Sequence, residues 1–138
     1  MLRSNKSLIS SLICVVGLLA AGLASGTDIK VMLSGDQEVP PVKTQASAEA
    51  ILTVADDGSV SGKITTKGIA GTMAHIHMAA AGTNGPVIVK LSKDGDTYSV
   101  PAGTKLDADQ LKALRAGGLY VNVHSAENKG GELRAQLP

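Results

Sequence analysis

The sequence predicts an all-β fold, a Greek-key β-sandwich with one short helix in a connection. Three observations predict it. Apolar residues recur with period two in short runs, turn-forming clusters separate the runs, and only one segment carries a helical pattern. The aromatic content fits a thin sandwich. The chain has no Phe and no Trp, and its two tyrosines are Tyr98 and Tyr120. Its core is therefore built from Val, Ile, Leu and Ala.

The elements follow in order. "DIKVMLS" alternates Ile29, Val31 and Leu33, and "AEAILTVA" reads as a buried strand ending at the turn "DDGS". "VSGKITTKGI" comes next, interrupted at Gly62, where a bulge is expected. "MAHIHMA" is closed by "AGTNGP"; "VIVKLS" runs to "KDGD"; "TYSV" is a short strand before Pro101. In "LDADQLKALRAGG", Asp107 and Gln110 form a capping-box pattern and Gly117 is placed to end a helix, which predicts a helix near 107–116. "LYVNVHS" and "ELRAQL", joined by "AENKGG", read as a hairpin with a longer loop. "SGDQEVPPVKTQAS", residues 34–47, is a loop, because Pro40 and Pro41 lack donors for a ladder. Its carboxylate Glu38 is expected on a rigid surface turn.

Residues 1–26 are expected to be a signal peptide, leaving residues 27–138 as the sandwich domain. Arg3 and Lys6 precede an apolar, charge-free run, and small residues follow. Cleavage is expected after Ala24 or after Gly26. An uncleaved anchor is the alternative, since the apolar run is near the shortest that spans a bilayer. The protein is therefore expected in the periplasm or secreted, with no stable membrane insertion once cleaved. Cys14, the single cysteine, lies in this segment and follows Ile13, which does not suit a lipid-modification site. The domain thus has no thiol for a disulfide or a thiolate site. The net charge is +1 with no basic stripe, and the near absence of aromatics leaves little to stack a base, so nucleic acid is not an expected partner.

Chemistry concentrates in the histidines. The chain has three, His75 and His77 in "AHIHM" and His124 in "YVNVHS". In a strand, residues i and i+2 share a face, about 6.6 Å apart. His75 and His77 therefore point one way, and Ala74, Ile76 and Met78 the other. Tyr120, Asn122 and His124 share parity against Val121 and Val123. If the two strands are neighbours, three imidazoles converge, and neutral imidazole is a common metal ligand at about 2 Å. The plainer alternative is a solvated polar strand face. Three nitrogens without a thiolate suit copper or zinc, with copper the tighter binder. Met73 has the parity of the histidine pair and offers a thioether, or fills a strand end. Glu132, Arg134 and Gln136 share parity on the last strand; Glu132, and less directly Asn122, are candidates to support a ligating imidazole from behind. Ser125 follows His124 directly, so their side chains point apart and make no nucleophile pair.

Three blocks, "LSGDQEVPPVKTQASAEA", "AHIHMAAAGTNGPVIVKL" and "AGGLYVNVHSAENKGGELRAQL", resemble the chordin-type CHRD domain in order and spacing over about residues 29–137. The resemblance implies an extracytoplasmic β-sandwich module, of the type found singly in bacteria and repeated in an extracellular antagonist of growth factors. A more distant likeness is to the copper–zinc superoxide dismutases. His75 and His77 fall where those enzymes carry a His-x-His copper pair, His124 where they carry a late copper ligand, and Arg134 where an arginine guides the anion. The bridging histidine, the rest of the zinc site and the disulfide cysteines have no match. Together these likenesses imply a superoxide-dismutase-like or immunoglobulin-like sandwich.

Three functions follow as alternatives: an exported copper-binding protein for binding, storage or protection; a metal-free structural or interaction module with a protein partner; or a copper-only dismutase-like enzyme.

Overall fold

The computed structural model describes residues 25–138. The expected signal peptide, 1–26, lies outside the described residues apart from Ser25 and Gly26. The rest is a two-sheet β-sandwich. Among the described residues its strands form two sheets in which every pairing is antiparallel. The strands are β1 (Gly26–Leu33), β2 (Ser47–Ala55), β3 (Val60–Lys67), β4 (Gly71–Met78), β5 (Val87–Lys90), β6 (Ser92–Asp94), β7 (Thr97–Ser99), β8 (Leu119–Ser125) and β9 (Leu133–Gln136). One sheet has the order β1-β2-β3-β7-β6 and the other β5-β4-β8-β9. Among the described residues, no helix is long and apolar enough to cross a membrane.

The period-two pattern builds the core. Ile29, Leu33, Ala48, Ala50, Leu52, Val54, Val60 and Ile64 face inward from the first sheet. Ala74, Ile76, Leu119, Val121, Val123, Leu133 and Ala135 meet them from the second. The one α-helix among the described residues, α1 (Ala108–Arg115), starts at the predicted box: Gln110 N–H donates to Asp107 Oδ1 at 2.8 Å, and Asp107 N–H to Gln110 Oε1 at 3.0 Å. Leu114 anchors the helix on the core.

Gly62 departs from expectation. It pairs with Leu52 in unbroken register, so there is no bulge. Its φ of +125°, and the Ile51 carbonyl lying where a Cβ would stand, explain the glycine as a close backbone approach instead.

The larger departure concerns the outer face of the second sheet. The plainer alternative for its polar parity is a solvated face, yet β8 is buried at all seven positions. Three connections cover it: residues 34–46 between β1 and β2, 79–86 between β4 and β5, and 126–132 between β8 and β9. They are tied together and to the sheet. Asn84 Nδ2 donates to Val39 O at 2.9 Å, Gln136 N to Gln37 Oε1 at 3.2 Å, and Gln136 Nε2 to Ala79 O at 2.8 Å. The 34–47 segment is therefore a cover rather than a surface turn. It contains a 3-10 turn at Gly35–Gln37 and a cis Val39–Pro40 bond, and it buries Glu38 to 4% exposure.

Candidate metal centre

β4 and β8 are adjacent, and their register places the histidines. His75 lies opposite Asn122, Met73 opposite His124, and His77 opposite Tyr120. Directly opposed and diagonal side chains of neighbouring strands are within reach of one another. The two imidazoles of β4 and the one of β8 thus meet around Asn122. A ligand atom from each of His75, His77 and His124 lies within 4.8 Å of the other two. All three histidines are buried, at 7–8% exposure.

The individual contacts fix which nitrogens face inward. His77 Nδ1 lies 2.9 Å from Gly85 O, and His124 Nδ1 lies 2.8 Å from Lys129 O. A carbonyl oxygen only accepts, so both Nδ1 atoms carry the proton and both Nε2 atoms present a lone pair. Those lone pairs point to the centre. His124 Nε2 is 3.1 Å from His75 Nδ1, and Asn122 Oδ1 is 3.0 Å from both His77 Nε2 and His124 Nε2. Holding a ring by its far N–H is how ligating histidines are oriented at metal sites. Here backbone carbonyls of two covering loops do it.

Burial makes two of the rings, His75 and His124, poor bases. The His75 pKa falls from 6.5 to about 4, chiefly by desolvation, with smaller contributions from His124, His77 and Lys90. His124 is also lowered, again mainly by desolvation; its bond to Lys129 opposes this and His77 adds to it. The rings of His75 and His124 therefore stay neutral to lower pH than a free imidazole, and the three-histidine cluster could hold a metal ion.

Tyr120 and Arg134 form the wall. Tyr120 stacks on His77, and the Arg134 guanidinium carbon sits 3.4 Å from the centre of the Tyr120 ring. Arg134 is 1% exposed and donates to Asn84 Oδ1 at 3.1 Å and Thr83 O at 2.8 Å. It fastens the 79–86 loop and does not face solvent, so it is not placed to attract an anion from outside. Glu132 also lies elsewhere than expected. Its Oε1 accepts from Thr44 Oγ1 at 2.7 Å, and no histidine is among its hydrogen-bond partners in the described residues. Burial raises its pKa, but hydrogen bonds from Ser125, Thr44 and Asn128 outweigh this and leave it below the usual range. Its role is to brace the 126–132 loop against residue 44. Met73 is 48% exposed beside His124.

A family model for the CHRD domain matches residues 29–137. The chain belongs to the CHRD domain family. No curated protein and no solved structure matches it. The likeness of this CHRD domain to copper–zinc superoxide dismutases thus rests on the order of His75, His77, His124 and Arg134 alone.

Sequence reasoning finds the three histidines and Asn122 at the centre of the CHRD domain but misses two side chains. Tyr120 was legible, because it shares parity with Asn122 and His124. Glu38 was not, because nothing in "QEVPP" says that the loop folds inward. The carbonyls of Gly85 and Lys129 have no sequence signal, since every residue carries one.

Proposed function

We propose that this CHRD domain binds one copper ion through His75 Nδ1, His77 Nε2 and His124 Nε2, in an exported protein that binds, stores or guards the metal. The observation that carries this is the clustering of inward lone pairs whose rings are tied from behind by Gly85 O and Lys129 O. His77 Nε2 and His124 Nε2 both face Asn122 Oδ1 as acceptors, and acceptors repel one another at such distances unless a cation lies between them. Adjacent ligands of an ion with bonds of about 2.0 Å stand roughly 2.8–3.3 Å apart; the 3.1 Å between His75 Nδ1 and His124 Nε2 falls in that range, and the three ligand atoms all lie within 4.8 Å of one another. Nitrogen donors without thiolate favour copper over zinc on the divalent affinity order. The dismutase alternative is not favoured, because Arg134 is committed to loop carbonyls.

The test is copper titration of the mature wild type and of His75→Ala, His77→Ala and His124→Ala, without a histidine tag. Wild type should bind one equivalent, and each variant far more weakly, because two ligands make a poor site. If wild type binds no more copper than His77→Ala, the reading fails and the metal-free interaction module replaces it.

A further inference from the structure

Given the three-histidine copper centre proposed above, on which this rests, we propose that Asn122 Oδ1 is the fourth ligand and that Glu38 holds the carboxamide in the orientation that presents it. Three consecutive contacts trace one edge path: His75 Nδ1 to His124 Nε2 at 3.1 Å, His124 Nε2 to Asn122 Oδ1 at 3.0 Å, and Asn122 Oδ1 to His77 Nε2 at 3.0 Å. These contacts place four donor atoms within reach of one ion, and a nitrogen and oxygen donor set suits Cu(II).

The oxygen is the wrong partner for two free imidazoles. His77 and His124 each already donate from Nδ1 to a carbonyl, so each Nε2 can only accept, and Oδ1 can only accept. Turning the amide over would give both rings a donor from Nδ2. Glu38 opposes that turn. Its carboxyl lies on the Nδ2 side of Asn122, where both side chains close on Gly131; burial pushes its pKa up, while Arg134 and then Asn122 favour its charged form. A flipped amide would set Oδ1 against that carboxylate. Glu38 Oε1 is buried and has no hydrogen-bond partner among the described residues. Such a group needs a reason to be there, and fixing an amide against the preference of its two imidazole neighbours supplies one. Arg134 provides the nearby positive charge that makes a buried carboxylate tolerable. Asn122 is thus a ligand rather than a support behind the ligands, and Glu38 is a positioning residue that never touches the ion.

The experiment uses Cu(II) as the probe on the mature wild type, Asn122→Leu, Glu38→Gln and His77→Ala. It combines affinity with electron paramagnetic resonance in water labelled with the magnetic oxygen isotope. If Asn122 fills the fourth position, wild-type copper shows no line broadening from equatorial labelled water. Asn122→Leu opens that position, so broadening appears and the affinity falls by about 10–100-fold. Glu38→Gln presents a donor to Asn122 as readily as an acceptor. It should bind more weakly than wild type and show a partial broadened component. The wild-type spectrum alone decides the ligand claim, whether or not the leucine variant folds. Broadening from equatorial labelled water in the wild-type spectrum overturns the ligand role. A Glu38→Gln protein identical to wild type in affinity and spectrum overturns the positioning role. In both cases a difference between wild type and His77→Ala leaves the histidine centre standing. Loss of that difference as well removes the centre itself.

Discussion

Tyr120 lies flat on His77, with ring centroids 4.6 Å apart and planes 3° apart. The same tyrosine also reaches the histidine by a second route. Its hydroxyl accepts from Gly85 N–H at 3.2 Å, and Gly85 O takes the proton of His77 Nδ1. One side chain therefore sets the plane of the imidazole and places the carbonyl that fixes its tautomer.

Tyr120→Phe separates these roles. It keeps the stacked ring and removes the hydroxyl, leaving Gly85 N–H without that acceptor. Stability should fall by about 0.5–1.5 kcal/mol, and copper affinity should fall by no more than about tenfold. Denaturant unfolding and copper titration on one preparation check both. A loss as steep as that of His77→Ala would mean the hydroxyl matters more than the ring.

Arg134→Met should be a stability mutation. Thr83 O and Asn84 Oδ1 lose their guanidinium donor, and the buried Glu38 loses its nearby positive charge. Each unpaired buried acceptor costs about 1–3 kcal/mol, so the total should be about 2 kcal/mol or more. Unfolding midpoints measure it. A variant as stable as wild type would show that water replaces the guanidinium without loss.

The pH dependence follows from burial at His75. Its pKa in the folded chain is about 4 against 6.5 for the ordinary side chain. Between these values the unfolded chain holds a proton there that the folded chain does not, so stability rises with pH across this window. Acidification from 6.5 to 4 should therefore destabilise the metal-free domain through this residue. Below 4 both states are protonated and its contribution stops changing. Unfolding midpoints at a series of pH values should show a shallower slope for His75→Gln than for wild type. Equal slopes would mean that His75 takes up its proton at the ordinary pH. Proton competition for copper at His75 likewise moves from 6.5 toward 4.

Gly131→Ala tests the packing beneath Asn122. Gly131 has a φ of +126°, and an added Cβ would meet Glu38 Oε1 and come within 2.7 Å of Asn122 Nδ2. Strain and collision together should cost at least about 1 kcal/mol, and moving Asn122 should weaken copper binding. Thermal unfolding and titration check the pair of effects. An alanine variant with wild-type copper affinity would show that Asn122 can shift without consequence.

Export is open to mass spectrometry of material recovered from the periplasm or medium. The apolar run after Arg3 and Lys6 should be removed, with cleavage after Ala24 the better of the two expected positions. It leaves Ser25 O to accept from Asp56 N–H at 3.0 Å and Gly26 to pair with Ala55 at the start of β1. An intact N-terminus in the membrane fraction would establish the anchor alternative.

Although "VIVKLS" reads as one strand where the chain breaks at Leu91 into β5 and β6 of different sheets, the sequence by itself determined most of the strands, the helix and its cap, and the three histidines with Asn122 on shared parities. These are local properties: alternation follows from the pleat, and Asp107 with Gln110 closes a turn of adjacent residues. It could not determine that the polar face of the second sheet is covered. Parity says which side chains share a face and nothing about what lies on that face. Only the tertiary structure decided the register that sets His75 opposite Asn122. It also folded the "QEVPP" loop inward to bury Glu38, and turned Arg134 into a clasp for a loop rather than a lure for an anion. Gly85 O and Lys129 O became the anchors of His77 and His124 in the same way. Such contacts join residues far apart in the chain, or use backbone atoms common to every residue, so no pattern of residue types records them.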